Sequence, residues 1–302
     1  MTNTSVMGTR GVGKAIFKAA FTQLNQEKRV ILVPIIGFAA NIAVMVGLMV
    51  GWLLLIPLMA TQTNSDTIVN VVLGILGALA MGVIAVFTQA VVMIIANAQF
   101  EGQRLGIGAA FAEAFKHFNN LAIFGMMEAT IGILLRALRD ERNPIGRFIA
   151  MFVSLAWGFV SYFSIPLIVF ANAGPFGSVK QSLDLIKSKW GDATRVNIFA
   201  GAMFVLAWLS MIALFVGGMY WAIYSGNSYN GDHHVQFTSS IVTMASAILG
   251  MFFVGLVQST VMAYVRVALY RYVTGQKISS FDESLLQRAM SDGSSMPGLI
   301  KN

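Results

Sequence analysis

Six long apolar runs divide the chain, at about 30–59, 67–97, 119–138, 147–171, 195–224 and 237–272, with polar joints between them. About 20 helical residues cross a hydrocarbon core of ~30 Å, so each run is long enough to span. Several runs exceed that length, which implies tilt or extension into the interface. The run at 119–138 is the shortest and carries Glu128. A five-span arrangement with this segment re-entrant therefore stays open beside the six-span one. The fold class expected is all-α: a polytopic membrane helix bundle of about six transmembrane helices.

The joints have a pattern of their own. From Val169 to Trp190 an apolar run stops at Asn172, breaks at Gly174-Pro175 and restarts as an amphipathic segment. Four such segments place a small and then a large apolar residue three and four positions after an apolar one. They read Phe17, Ala20, Phe21; Phe111, Ala114, Phe115; Val179, Ser182, Leu183; and Phe281, Ser284, Leu285. Leu24, Phe118 and Ile186 extend the first three, and an Ala-Asn-Ala helix exit precedes two of them at Asn97 and Asn172. Helical spacing puts the large groups on one face. The unit predicted is an interfacial helix plus two membrane helices, repeated three times with a partial closing copy. Phe17, Phe21, Phe111, Phe115, Phe118, Leu183, Ile186 and Trp190 would then face lipid headgroups and chains, with lysines alongside. Periodicity alone equally allows these to be connecting helices packed against the protein.

Composition agrees with the pattern. Charged residues make up 11% of the chain, against roughly 25% in soluble domains, and the mean hydropathy is +0.73. The net charge of +7 matches the basic loops of membrane proteins, and no motif for nucleic acid accompanies it. Thr61 to Asp66 and Ser225 to Gln236 contain no Lys or Arg, whereas the N-terminal segment, the joint around Lys180 to Arg195 and the tail are basic. The positive-inside rule then places both termini in the cytoplasm. It divides the chain into a cytoplasmic amphipathic segment at 1–29, a transmembrane domain at 30–273 and a cytoplasmic tail at 274–302. Arg136 to Arg147 resists this scheme, because it would lie outside while carrying four arginines. The N-terminus does not read as a cleaved signal peptide. The expected location is a bacterial cytoplasmic (inner) membrane.

Catalytic and metal motifs fail on inspection. Cysteine is absent, which removes disulfides and thiolate chemistry. Gly8 to Lys14 matches the opening of a phosphate-binding loop, but Ala15 stands where Ser or Thr should hold magnesium. His233 and His234 are adjacent and lack the spacing of a helical metal site. No metal, no cofactor and no enzymatic activity are expected, and the partners expected are membrane lipids or other membrane proteins.

Polar groups inside the runs mark the candidate site. Glu128 and Arg266 lie deepest, roughly 9–13 Å from the cytoplasmic ends of their helices at 1.5 Å per residue. Similar depth permits them to pair, and a charge there needs a partner or a wet cavity. Gln89, Asn97, Asn172 and Gln258 add hydrogen-bonding groups in or near the spans. Small residues recur every four positions at Ala39, Ala43, Gly47 and Gly51, and again at Gly74, Ala78 and Gly82. Such stripes predict close packing of the first two helices as a hairpin.

The last helix exits as Ala268-Leu269-Tyr270-Arg271-Tyr272, followed by Val273, Thr274 and Gly275. With the stretch Pro166 to Trp190, this resembles a bacterial and archaeal family of uncharacterised multi-pass membrane proteins. That family looks distantly similar to the membrane domain attached to some glycerophosphodiester phosphodiesterases. The resemblance implies a membrane bundle of about six helices and brings no catalytic residue with it. The function expected is to organise lipid or a membrane protein complex without catalysis; the alternative is a small transporter or channel with a polar site around Glu128 and Arg266. Topology is directly testable on this cysteine-free background. Single cysteines at Asn64 and Asn230 should react with an impermeant reagent from outside and one at Ser294 only from inside. Labelling of Asn64 or Asn230 from the cytoplasmic face would invert the topology, and a cysteine at Arg142 assigns the disputed loop.

Overall fold

The computed structural model describes residues 27–59, 65–139, 144–188, 190–226 and 233–276, together with Phe21 and Leu24. Phe17 and the C-terminal segment at Phe281, Ser284 and Leu285 lie outside the described residues. A short 3-10 turn, Lys28–Ile31, leads into α1 (Leu32–Met59) and α2 (Ser65–Phe100). There follow α3 (Ile107–Lys116), α4 (Phe118–Leu138), α5 (Pro144–Val160), α6 (Ser164–Phe170) and α7 (Pro175–Ser188). Two long helices close the described chain, α8 (Trp190–Gly226) and α9 (His233–Val273). Six helical segments are long and apolar enough to cross a membrane, with α5 and α6 together forming one of them. The protein is an all-α polytopic bundle, a multi-pass integral membrane protein. The disputed third segment is one unbroken 21-residue helix, about 31 Å long at 1.5 Å per residue, which is full spanning length.

Three antiparallel hairpins make up the bundle, α1–α2, α4–α5 and α8–α9. In the first, Trp52 meets Asn70 and a Cβ on Gly77 would meet Leu48. Farther along the same pair, the space beside Gly37 is filled by Thr88. This is a correction to the small-residue stripe. Ala39, Ala43 and Gly47 are exposed, and open space surrounds Gly47, Gly51 and Gly74. The α1 face that meets α2 instead carries Gly37 and Leu48. A stripe of small side chains permits close approach, but it does not say which face the partner takes. Gly82 does mediate a close contact, with α4. A Cβ there would stand 2.6 Å from the Gly125 carbonyl oxygen, and one on Gly125 would stand 2.7 Å from Val83 Cα. At that crossing two backbones touch with no side chain between them.

The fourth span breaks where its chemistry requires. Pro166 lacks an N–H, and its ring clashes with the carbonyl one turn earlier. The helix accordingly turns at Ser161–Phe163 before resuming as α6. The Phe163 N–H freed by the turn donates to Ser182 Oγ of α7 at 2.9 Å. This bond anchors α7 against the bundle, with Ser178 and Ser182 fully buried. In α3 the corresponding positions, Ala110 and Ala114, are likewise buried.

Buried residues concentrate at one end, the packed end, where α2 and α9 both terminate. The core there includes Val91–Ala96 and Phe100 of α2, Leu121 and Phe124 of α4, Ile165–Val169 of α6, and Val261 and Ala263–Val265 of α9. The opposite halves of the hairpins present large apolar side chains outward, such as Met49, Leu54, Ile68, Leu134, Phe148, Leu209 and Leu249. In water this surface would drive aggregation; in a bilayer it is the solvated face. Arg136 closes the last turn of α4, where the helix dipole favours a cation. That local fit accounts for a basic residue at the end of the bundle where the positive-inside pattern did not expect it. The α2–α4 contact yields a sharp comparison. Gly125→Ala should lower the unfolding temperature in detergent, at a cost of about 1–3 kcal/mol, while Gly47→Ala leaves it unchanged or higher. Indistinguishable variants would show that the two helices do not close on Gly82 and Gly125.

Candidate functional site

Helices α2 and α9 run parallel, and three sets of side-chain hydrogen bonds join them. Apolar packing supplies the bulk of their seam, with Tyr264 wholly buried and its ring edge-on to Phe100 at 6.1 Å. Three polar links then fix the register. Arg266 donates from Nη1 to Gln89 Oε1 at 2.9 Å. Tyr264 donates its hydroxyl to Gln99 Oε1 at 2.8 Å, and the Gln99 amide donates to Glu27 just ahead of the 3-10 turn. Arg271 donates from Nη1 to both Asn97 Oδ1 and Glu101 Oε1 at 2.7 Å, and Asn97 Nδ2 donates to the same carboxylate at 3.1 Å. Such bonds contribute about 0.6 kcal/mol each on average within membranes, so they specify the pairing more than they drive it.

Both seam helices also stop in the same way. Gly102 adopts φ 77° and Gly275 φ 70°. The N–H of Gln103 reaches the Ala98 carbonyl, and that of Gln276 reaches the Arg271 carbonyl, each at 2.9 Å. This is the Schellman closure, in which a left-handed glycine lets the chain turn back onto its last free carbonyls.

Beside the seam, α1, α2, α8 and α9 enclose a cleft of about 530 Å³. That falls within the usual range of ligand sites, ~300–1,000 Å³. Its walls are mainly apolar, and Phe38 packs on Phe252 with ring centroids 4.5 Å apart. Phe38 also lies 45% exposed on the lipid-facing surface, so the cleft reaches the bilayer sideways. The polar groups in the wall are few. Thr88 and Ser259 donate their hydroxyls to carbonyls of their own helices. Asn41 donates from Nδ2 to the Gly37 carbonyl at 3.0 Å, and its Oδ1 is buried with no protein partner. Gln89, also in the wall, gives its amide oxygen to Arg266, which leaves its NH2 as a donor. The residues around the cleft therefore include one buried acceptor without a protein donor and the Gln89 amide, in an apolar setting.

The predicted site residues divide among several places. Glu128 accepts a bond from Trp157 Nε1 at 3.0 Å, tying α4 to α5. Arg266 has its guanidinium carbon 5.3 Å from the centre of the Tyr162 ring. Among the described residues no ion pair joins Glu128 to Arg266. Glu128 is engaged by Trp157 of α5 and Arg266 by Gln89 of α2 and the Tyr162 ring, because the depth expected along a span says nothing about the azimuth a side chain takes. Gln258 accepts from Trp208 Nε1 at 2.7 Å and joins α8 to α9. Asn172, the counterpart of Asn97 in the Ala-Asn-Ala exits, is exposed with φ 52°. It ends α6 by taking the left-handed conformation that Asn tolerates, whereas Asn97 stays helical and holds Arg271.

The residues read as lipid-facing also separate. Ile186 is 4% exposed and belongs to the protein core, which corrects that reading. It follows Ser178 and Ser182 on the α7 face that docks. Phe111 packs against the core, with its ring 6.0 Å from that of Phe87 on α2. Phe115 and Phe118 touch Phe87 with one side and remain 59% and 41% exposed with the other. Phe21 is exposed as well, and Leu183 is half-buried. The side chain of Trp190 lies outside the described residues. Sequence reasoning passed over Asn41, although a lone polar residue in an apolar run is the same signal that singled out Gln89. It also passed over Gln99, Tyr264 and Trp208, whose roles depend on which helices meet.

Residues 68–280 match the model of a family described as a family of unknown function (DUF6159). No curated protein and no solved structure matches, so the likeness to the phosphodiesterase membrane domain has no support from these comparisons. The Arg271 cluster permits a quantitative check. The guanidinium side chain is 6% exposed and the Glu101 carboxylate 40%. A double-mutant cycle on Arg271→Met and Glu101→Gln, read by unfolding in detergent, should return a coupling of about 0.5–1.7 kcal/mol. A coupling near zero would mean that the cluster does not hold the seam.

Proposed function

We infer, for a chain that belongs to a family of unknown function, DUF6159, that it is a non-enzymatic integral membrane protein that holds a lipid between its helices. The observation that carries this reading is the cleft, apolar through most of its wall, with the buried Asn41 Oδ1 still lacking a donor. A buried acceptor left unmade costs about 1–3 kcal/mol, and a hydroxyl or amine on a bound amphiphile would satisfy it. The Gln89 amide donor calls for an acceptor such as an ester or phosphate oxygen. The lateral mouth beside Phe38 suits a ligand that arrives from the bilayer.

The surroundings favour a role in organising lipid in a bacterial cytoplasmic membrane, with the packed end cytoplasmic. Arg29, Arg104, Lys116, Lys187 and Arg271 belong to the elements gathered at that end, as the positive-inside rule requires. Where α3 meets α4, the exposed edges of Phe115 and Phe118 lie close in sequence to Lys116, which pairs with Glu113 at 2.7 Å. That face fits the headgroup layer. The alternative, a small transporter or channel with a polar site around Glu128 and Arg266, draws less support, because no ion pair joins the two among the described residues.

Native mass spectrometry of the full-length protein in mild detergent tests the proposal. The expected spectrum shows one amphiphile retained per chain. Gly255 lines the cleft, and a Cβ there meets only Trp208, at 3.8 Å. Gly255→Leu should therefore fill the cleft and release the amphiphile while the fold is kept. A wild-type chain that carries nothing, or a Gly255→Leu chain that carries as much as wild type, would refute the reading.

A further inference from the structure

Two arginines five residues apart on α9 are treated differently by the fold. Arg271, at the helix end, is balanced by the Glu101 carboxylate. Arg266, inside the span, has two neutral partners: the Gln89 amide oxygen and the face of Tyr162. Glu128, the carboxylate of similar depth, is engaged by the Trp157 indole on another helix pair. Among the described residues, no carboxylate offsets the Arg266 charge. A cation within a membrane span is costly and is ordinarily found beside a counter-charge or water.

The position says where a counter-charge would come from. Arg266 lies seven residues before Val273, about 10 Å from the end of α9 at 1.5 Å per residue, and a guanidinium extends toward the interface from that depth. It lies on the helical face of Gly255 and Ser259, which line the cleft, and it is joined to the cleft wall through Gln89. Its planar fork matches a phosphate better than an ammonium would. We propose that the cleft selects a phosphate-bearing anionic lipid, with Arg266 and the Gln89 amide holding the headgroup while the acyl part occupies the apolar wall. This rests on the reading of the cleft as a lipid site, and it adds the headgroup class and the residue that discriminates.

The test uses the full chain reconstituted in vesicles of equal parts phosphatidylglycerol and phosphatidylcholine, extracted gently and read by native mass spectrometry. Wild type should retain phosphatidylglycerol over phosphatidylcholine by about tenfold, the scale of a charge-assisted contact. Arg266→Gln should hold a lipid without preference, and Arg266→Lys should keep most of it, which separates charge from packing. Retention of lipid without preference by wild type, or an undiminished preference in Arg266→Gln, would overturn the headgroup assignment and leave the lipid cleft standing. Wild type without any lipid would overturn both. Inorganic phosphate is the other source of the same chemistry. If it raised the unfolding temperature of wild type but not of Arg266→Gln, with no lipid preference in either, the site would belong to a free anion instead.

Discussion

The architecture depends on two helices that lie side by side in parallel, α2 and α9. No short connection can join parallel neighbours, and lipid gives no hydrophobic drive between helices. Shape and polar complementarity along the seam must therefore specify it. Buried aliphatic and aromatic packing supplies the contact, and Arg266–Gln89, Tyr264–Gln99 and Arg271–Asn97–Glu101 set its register. The remaining elements attach to this pair. Each seam helix is the second arm of a hairpin, so α1 and α8 are carried into place with it. Helix α4 closes on α2 through two glycines, and α6 packs against both seam helices. The cleft is the space bounded by the seam and the two first arms.

That arrangement places an ion-paired arginine and an arginine held by neutral groups at different depths of one helix pair. Toward the helix ends, Arg271 and Glu101 neutralise each other and two glycine closures turn the chain away. One to two turns deeper, Arg266 is held by neutral groups, and Gln89 passes its influence to the cleft wall. Burial of the apolar faces stabilises the packed end, while the outer halves of the hairpins rely on lipid to cover them. A bundle built this way is closely packed where its helices converge and open beside the cleft.

Much of the architecture was legible in the amino-acid sequence. Six spans follow from runs of apolar residues because a bilayer demands an internally hydrogen-bonded backbone of set length. The break at Pro166 and the turn at Asn172 follow from local stereochemistry. Positions such as Gln89, Arg266 and Gln258 stood out because polar groups in apolar runs are few. Their partners were not legible. Glu128 and Arg266 matched in depth and charge but face different helices, and the Ala-Asn-Ala exits at Asn97 and Asn172 became a seam residue and a helix stop.

Helix positions, span lengths and the identities of the polar groups within the spans are properties of consecutive residues, and the sequence by itself determined them. Which faces meet is a property of residues up to 177 positions apart, and only the tertiary structure decided it. The small-residue stripe on α1 faces lipid while Gly37 and Asn41 turn inward, and Ile186 is core while Phe115 stays exposed. The physical reason is that a membrane helix is apolar on nearly every side, so its periodicity does not distinguish a face that meets protein from one that meets lipid.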